Sequence, residues 1–148
     1  MTEYGFFSRL PALAGLAALT FLLAGCGGPA DSSPPKFHVR GKVVTKDGKA
    51  AAGALVVLHP ANATTGAPPR GTTDKDGVFV VGSRLADDGA AEGEYDVTLI
   101  WPKDQDPRNP SENTPPDRLK NQYNDVKHAK WHVRVKAAEN QLEPFTLD

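Results

Sequence analysis

Gly93-Glu94-Tyr95-Asp96-Val97-Thr98-Leu99-Ile100-Trp101 alternates along its length. Tyr95, Val97, Leu99 and Trp101 share one side; Asp96, Thr98 and Ile100 share the other. A period of two marks a strand with one buried face, because successive side chains leave a pleated backbone on opposite sides. The parity assigns Trp101 to the core with Tyr95, Val97 and Leu99, rather than to a sugar-binding surface.

The same period recurs on either side. Phe37, Val39, Gly41 and Val43 alternate with His38, Arg40 and Lys42. Trp131, Val133 and Val135 alternate with His132, Arg134 and Lys136, and Leu142, Phe145 and Leu147 close the chain. Residues 54–59 form a short apolar run, read as a more buried strand, and Phe79 and Val81 point inward after Asp76-Gly77. Asp47-Gly48 and Asp76-Gly77 are tight-turn signals, and residues 60–70, rich in Pro, Gly, Thr and Asn, read as a loop. No long helical period separates these runs, and 14 Gly with 13 Pro argue against a helical bundle. The expected fold is an all-β antiparallel sandwich with Greek-key-like connections over residues 37–148.

The 103–130 insert breaks the rhythm with Pro107, Pro110, Pro115 and Pro116. Structureless loops of that length are uncommon and are usually functional or disordered. Asp117 is placed to cap a turn of helix over residues 118–123, with Leu119 and Tyr123 on one face pinning it to the sandwich.

Ahead of the domain the composition changes. Residues 10–23 carry no charge and follow a single basic residue, Arg9. That length suits a signal-peptide apolar region and falls short of the ~20 residues needed to span a bilayer. Leu23-Ala24-Gly25-Cys26 follows and resembles the bacterial lipobox. The resemblance implies cleavage after Gly25, a thioether-linked diacylglyceryl on Cys26 and acylation of the new N-terminus. Cys26 is the single cysteine, so the reading also accounts for an unpaired thiol in an exported chain. Residues 1–25 are then a lipoprotein signal peptide, and 26–36 the lipidated cysteine and a Gly/Ser/Pro tether. Gly27 lacks the aspartate linked to inner-membrane retention in some bacterial lipoproteins, which favours the outer membrane.

Gly41-Lys42-Val43-Val44, Asp47-Gly48-Lys49, the apolar run at 54–58, Gly71-Thr72-Thr73-Asp74-Lys75-Asp76-Gly77-Val78-Phe79 and Gly93-Glu94-Tyr95-Asp96-Val97-Thr98 together resemble the carboxypeptidase regulatory-like domain. Asp117-Arg118-Leu119-Lys120, Tyr123, Val133-Arg134-Val135-Lys136 and Pro144-Phe145-Thr146-Leu147 resemble small planctomycete-type lipoproteins that carry it. The resemblance implies a prealbumin-like (transthyretin-like, Ig-like) sandwich of about seven strands and supplies no catalytic residues. The ending Glu143-Pro144-Phe145-Thr146-Leu147-Asp148 differs from the Tyr-Arg-Gly-Ser-like ending of transthyretin-related hydrolases, so that activity does not transfer.

Candidate chemistry is sparse. His128 and His132 have the i, i+4 spacing of helical zinc ligands, but Ala129 stands where the catalytic Glu would follow, and Trp131-His132-Val133 reads as strand. His38 and His59 complete the histidines. Asp74-Lys75-Asp76-Gly77 opens like a calcium loop, but Leu85 occupies the twelfth position where an acidic ligand belongs, so a β-turn is expected. Asp87, Asp88, Glu92 and Glu94 read as a solvated acidic patch. No serine lies in a nucleophile elbow and no glycine-rich phosphate loop occurs. A net charge of −1 offers nothing to nucleic acid.

The expectation is a membrane-anchored cell-envelope lipoprotein, exported and held through Cys26: a non-enzymatic structural or adhesive module without cofactor, facing an envelope protein or glycan. The alternative is an accessory binder of a small ligand, glycan or metal, using the 103–130 insert and the histidines.

Overall fold

The computed structural model describes residues 33–62, 66–104 and 115–148. The expected signal peptide, Cys26, the first part of the tether and residues 105–114 of the insert lie outside the described residues. Among those described, the strand segments are β1 (Lys36–Phe37), β2 (Val39–Thr45), β3 (Leu55–Pro60), β4 (Arg70–Thr72), β5 (Val78–Val80), β6 (Ala90–Ala91), β7 (Gly93–Ile100), β8 (Trp131–Val135), β9 (Asn140–Gln141) and β10 (Phe145–Leu147). The helical element among them is one 3-10 turn, Val126–His128. The described residues form an all-β domain.

One sheet runs β4-β3-β7-β8 and is antiparallel throughout. β7 pairs on both sides, Val97 lying opposite Leu58 of β3 and Trp131 of β8. A second four-stranded sheet runs β10-β2-β5, with β9 also on β2, and β1 pairs β6 in a separate two-stranded antiparallel sheet. β5 is antiparallel to β2, whereas β9 and β10 are parallel to it, a departure from the purely antiparallel expectation. Alternation fixes which face a side chain takes and says nothing of strand direction. β9 meets Val39 and Arg40 while β10 meets Val43 to Thr45, so the two are one interrupted strand running along β2. Pro144, which has no N–H to give a ladder, lies in the interruption.

β4 is a second departure, because Arg70 begins a strand where the sequence reads as loop. Its Gly71 lies so close to β5 that a Cβ would overlap the Val80 carbonyl, and Arg70 bridges Gly82 just beyond β5. The two sheets are therefore laced together along this edge.

Val39, Val43, Phe79, Phe145 and Leu147 from one sheet, with Val81 just beyond β5, meet Val56, Leu58, Tyr95, Val97, Leu99 and Val135 from the other. Fully burying a side chain of this size is worth ~1.5–3 kcal/mol. An aromatic run crosses the opposite edge: Phe79 stacks on Phe145 at 5.8 Å, Phe145 meets Trp131 at 5.2 Å, and Trp131 meets Tyr123 at 5.0 Å. Gly41 makes room for the first ring, since a Cβ there would lie 2.5 Å from its Cζ. Trp101, expected in the core, is half-buried at the end of the β7 lane, its indole N–H donating to the Ala52 carbonyl at 2.8 Å.

Val97 is completely buried at the centre of β7. Val97→Asp is expected to unfold the domain, because an unpaired buried charge costs several kcal/mol against a total stability of ~5–15 kcal/mol. Far-ultraviolet circular dichroism and urea titration check this; a cooperative melt near that of the unaltered protein would count against the assigned core.

Candidate functional site

The connection from β5 to β6 is organised by one carboxylate. Asp88 accepts the backbone N–H groups of Ser83, Arg84 and Leu85 and the Ser83 hydroxyl, and its Oδ2 lies 2.6 Å from Lys36 Nζ. Asp87 before it adopts the left-handed conformation (φ 61°), and Gly89 after it (φ 82°) lies against the Phe37 carbonyl. Burial works to raise the Asp88 pKa, but the Lys36 ammonium and the three backbone donors outweigh it and hold the carboxyl well below the usual carboxylate range. The solvated patch expected here is thus a structural hub at Asp88. The sequence could not show it, because Lys36 lies 52 residues away. Arg84 adds a second tie, its Nη2 donating to Ser33 Oγ at 2.8 Å. Ser33 and Lys36, at the start of the described chain, are therefore both fastened to this loop.

The loop forms one rim of a groove of about 710 Å³. Val78 and Val80 supply a half-buried apolar floor, with Arg40 of β2 on one side and Arg70 and Thr72 of β4 on the other. Arg40 is opposite Val80, and Arg70 bridges Gly82. The two arginines consequently flank the β5 lane on the same outward face. Among the described arginines, Arg84 bonds Ser33, Arg118 pairs with Asp104, and Arg134 lies 3.5 Å from Glu94. No hydrogen bond or ion pair of the Arg40 or Arg70 guanidinium occurs among the described residues. Leu85, on the rim, is 74% exposed.

The ends of the insert are locked together. Pro102 bridges Asp117, Lys103 N–H donates to the Pro116 carbonyl and Arg118 N–H to the Trp101 carbonyl. Asp117 accepts from the N–H groups of Trp101, Leu119 and Asn121. Arg118 packs over the Trp101 ring at 5.4 Å and reaches Asp104 at 2.8 Å. The capping role expected of Asp117 is present, but the helix is not. Lys120 and Asn121 take left-handed φ values of 52° and 62°, which end a right-handed turn. Tyr123 is nevertheless buried and Leu119 packs on the core, as the shared-face reading required. The Tyr123 carbonyl accepts from Leu99 N–H, so this segment extends the lane of β8 beside β7.

The histidines are not brought together on a helix. His128 sits in the 3-10 turn with Nδ1 2.7 Å from Asp125 Oδ2, and His132 lies on β8 with Nδ1 2.6 Å from Asp96 Oδ1. His59 bonds the Thr98 hydroxyl at 2.8 Å; burial lowers its pKa, with the Asp96 charge acting in the opposite sense. His38 is exposed between β1 and β2. Among the described residues no three His, Cys, Asp or Glu side chains converge to hold a metal. Asp74 makes the expected turn: its Oδ1 accepts from Asp76 and Val78 N–H, each at 2.9 Å, with Gly77 at φ 75°. Glu92 and Glu94 are exposed.

Among known proteins the chain matches no family model, no curated protein and no solved structure.

The Asp88 hub has a definite pH signature. Its folded pKa is depressed, so its contribution is complete above the unfolded carboxyl value, near pH 4, and fades as the pH falls through the folded value. Asp88→Asn is expected to lose ~1–3 kcal/mol at neutral pH. The difference from the unaltered protein should shrink between about pH 5 and pH 2, as both come to lack the charge. Urea melts across that range check it; a constant difference would show that the carboxylate charge contributes nothing.

Proposed function

We propose that this chain is a membrane-anchored lipoprotein of the bacterial cell envelope, acting as a non-enzymatic binding and adhesive module. The observation that carries the reading is Leu23-Ala24-Gly25-Cys26, behind an uncharged stretch and ahead of a short tether into an all-β domain. Cleavage after Gly25 and acylation of Cys26 give the anchor. Several acyl chains hold a protein on a bilayer far more durably than one. The finer fold proposed is the prealbumin-like sandwich of the carboxypeptidase regulatory-like domain, which the turn and strand motifs at 41–49 and 71–79 support.

The insert is the proposed contact with an envelope protein or glycan. Its root is held by the 102–117 bridge and the Asp117 hydrogen bonds, so residues 105–114 leave and rejoin a fixed base. Binding residues commonly sit on loops carried by a rigid scaffold.

Cys26→Ala is expected to abolish lipidation and leave the uncleaved precursor, seen as a larger intact mass without the diacylglyceryl group. An unmodified Cys26 thiol in the mature native protein would overturn the anchor. Replacing residues 105–114 with a short Gly/Ser turn is expected to shift the thermal midpoint by no more than a few degrees, because shortening a loop changes closure entropy little. The same variant should lose whatever partner the unaltered protein retrieves from detergent-solubilised envelope. Retrieval of that partner with unchanged affinity would place the binding surface elsewhere.

A further inference from the structure

We infer that the Arg40–Arg70 groove is a second membrane contact, a site for the phosphate groups of anionic lipids into whose interface Leu85 inserts. The inference rests on the anchored reading for its orientation and on independent geometry for its chemistry. The chain enters the described domain at this rim, since Ser33 bonds Arg84 and Lys36 bonds Asp88. From Cys26 to Ser33 is seven residues, which span roughly 25 Å at most. An acylated Cys26 therefore keeps the groove within that distance of the bilayer surface.

The residues suit that surface. Arg40 and Arg70 flank the groove with guanidinium groups that form no ion pair among the described residues. A guanidinium offers paired donors that match phosphate oxygens. The lining also holds the carboxylates Asp74, committed to two backbone N–H groups of its own turn, and Asp87 on the rim, against three arginines, Arg40, Arg70 and Arg84. Leu85 projects from the Asp88-ordered loop at 74% exposure, well above Val126 at 37%, the other exposed large hydrophobic residue among those described. Basic side chains around an exposed apolar side chain form an interfacial contact, with charge at the headgroups and the apolar group below them. Because Asp88 already fixes the loop backbone, little ordering cost is left for binding.

The test uses the full chain purified from membranes in detergent, carrying Leu85→Cys with a nitroxide label. Intact mass reports the Cys26 anchor separately. The protein is reconstituted into phosphatidylcholine vesicles with and without phosphatidylglycerol, and the label's collisions with oxygen and with a water-soluble relaxant are compared. The label is expected to enter the lipid phase in phosphatidylglycerol vesicles and to remain in water in neutral ones. Arg40→Gln/Arg70→Gln should reduce the lipid-contacting population about thirtyfold, as expected for two basic groups at an anionic surface. Arg134→Gln, which removes an arginine already beside Glu94, should leave it unchanged. A water-exposed label in phosphatidylglycerol vesicles, or one indifferent to the double variant, overturns the inference. So does a double variant that weakens binding of soluble glycerol phosphate without moving the label, because the groove would then serve a free phosphate ester. A mass lacking the diacylglyceryl group overturns the anchor alone. Arginine-dependent co-sedimentation of that unacylated chain with phosphatidylglycerol vesicles would still uphold the groove, and co-sedimentation indifferent to Arg40 and Arg70 would overturn it.

Discussion

β7 must satisfy its backbone on both sides, and most of the architecture depends on that constraint. Gly93–Ile100 pairs with β3 from Tyr95 to Ile100 and with β8 from Gly93 to Val97. A buried strand cannot leave N–H and C=O groups without partners. Beyond Val97, β8 is no longer alongside, and the insert takes its place through the Tyr123 carbonyl on Leu99 N–H and the Pro102–Asp117 bridge. The insert is thus part of the sheet at its root. Its two ends are fixed because β7 needs a neighbour there, and Tyr123, carried in by the same segment, extends the aromatic run from Phe79.

The two edges of the sandwich are closed by different means. Along β4 and β5 the closure is backbone against backbone, with Gly71 under the Val80 carbonyl and Arg70 bridged to Gly82. Along β8 and β10 it is side chain against side chain, with Trp131 tilted over Phe145. Lys130 stands over the rings of Trp131 and Tyr123 at 5.3 and 5.4 Å and is bonded to Asp148, which raises its pKa despite partial burial. The backbone-closed edge leaves outward-facing arginines on either side of β5, whereas the aromatic edge turns its polar groups to one another.

Faces were legible in the sequence and partners were not. Parity places Val39, Gly41 and Val43 inside on β2, and Tyr95, Val97 and Leu99 inside on β7, because successive side chains of a pleated strand take opposite faces; Thr98, on the other face, is buried as well, its hydroxyl bonded to His59. The direction of β9 and β10 leaves no trace in parity. β4 was hidden because its three residues include a glycine and adjoin a loop composition, so its identity depends on the close approach of β5. Asp117 was legible as an acceptor of backbone N–H groups. Nothing local announces that Lys120 and Asn121 turn left-handed and convert the expected helix into a turn. Asp88 and Arg84 sit among charged and small residues that read as ordinary solvated loop, and the residues that give them a role lie at 33 and 36.

Those two contacts bear on how a tethered domain behaves. A flexible linker ending in a freely pivoting domain presents every face to the membrane in turn, and no one face acquires a preferred distance. Here Ser33 and Lys36 are stitched to the 83–88 loop by Ser33–Arg84 and Lys36–Asp88, so from Ser33 onward the chain moves with the sandwich. Each residue removed from the free length shortens the reach by roughly 3.3 Å and narrows the orientations available at a given height. The Lys36–Asp88 pair, 24% and 18% exposed at its two side chains, is sheltered enough from water to resist screening better than a fully exposed pair would. Under the proposed lipid anchor, fastening Ser33 and Lys36 at the groove rim would turn that end of the sandwich towards the bilayer, a consequence of where the chain enters the fold.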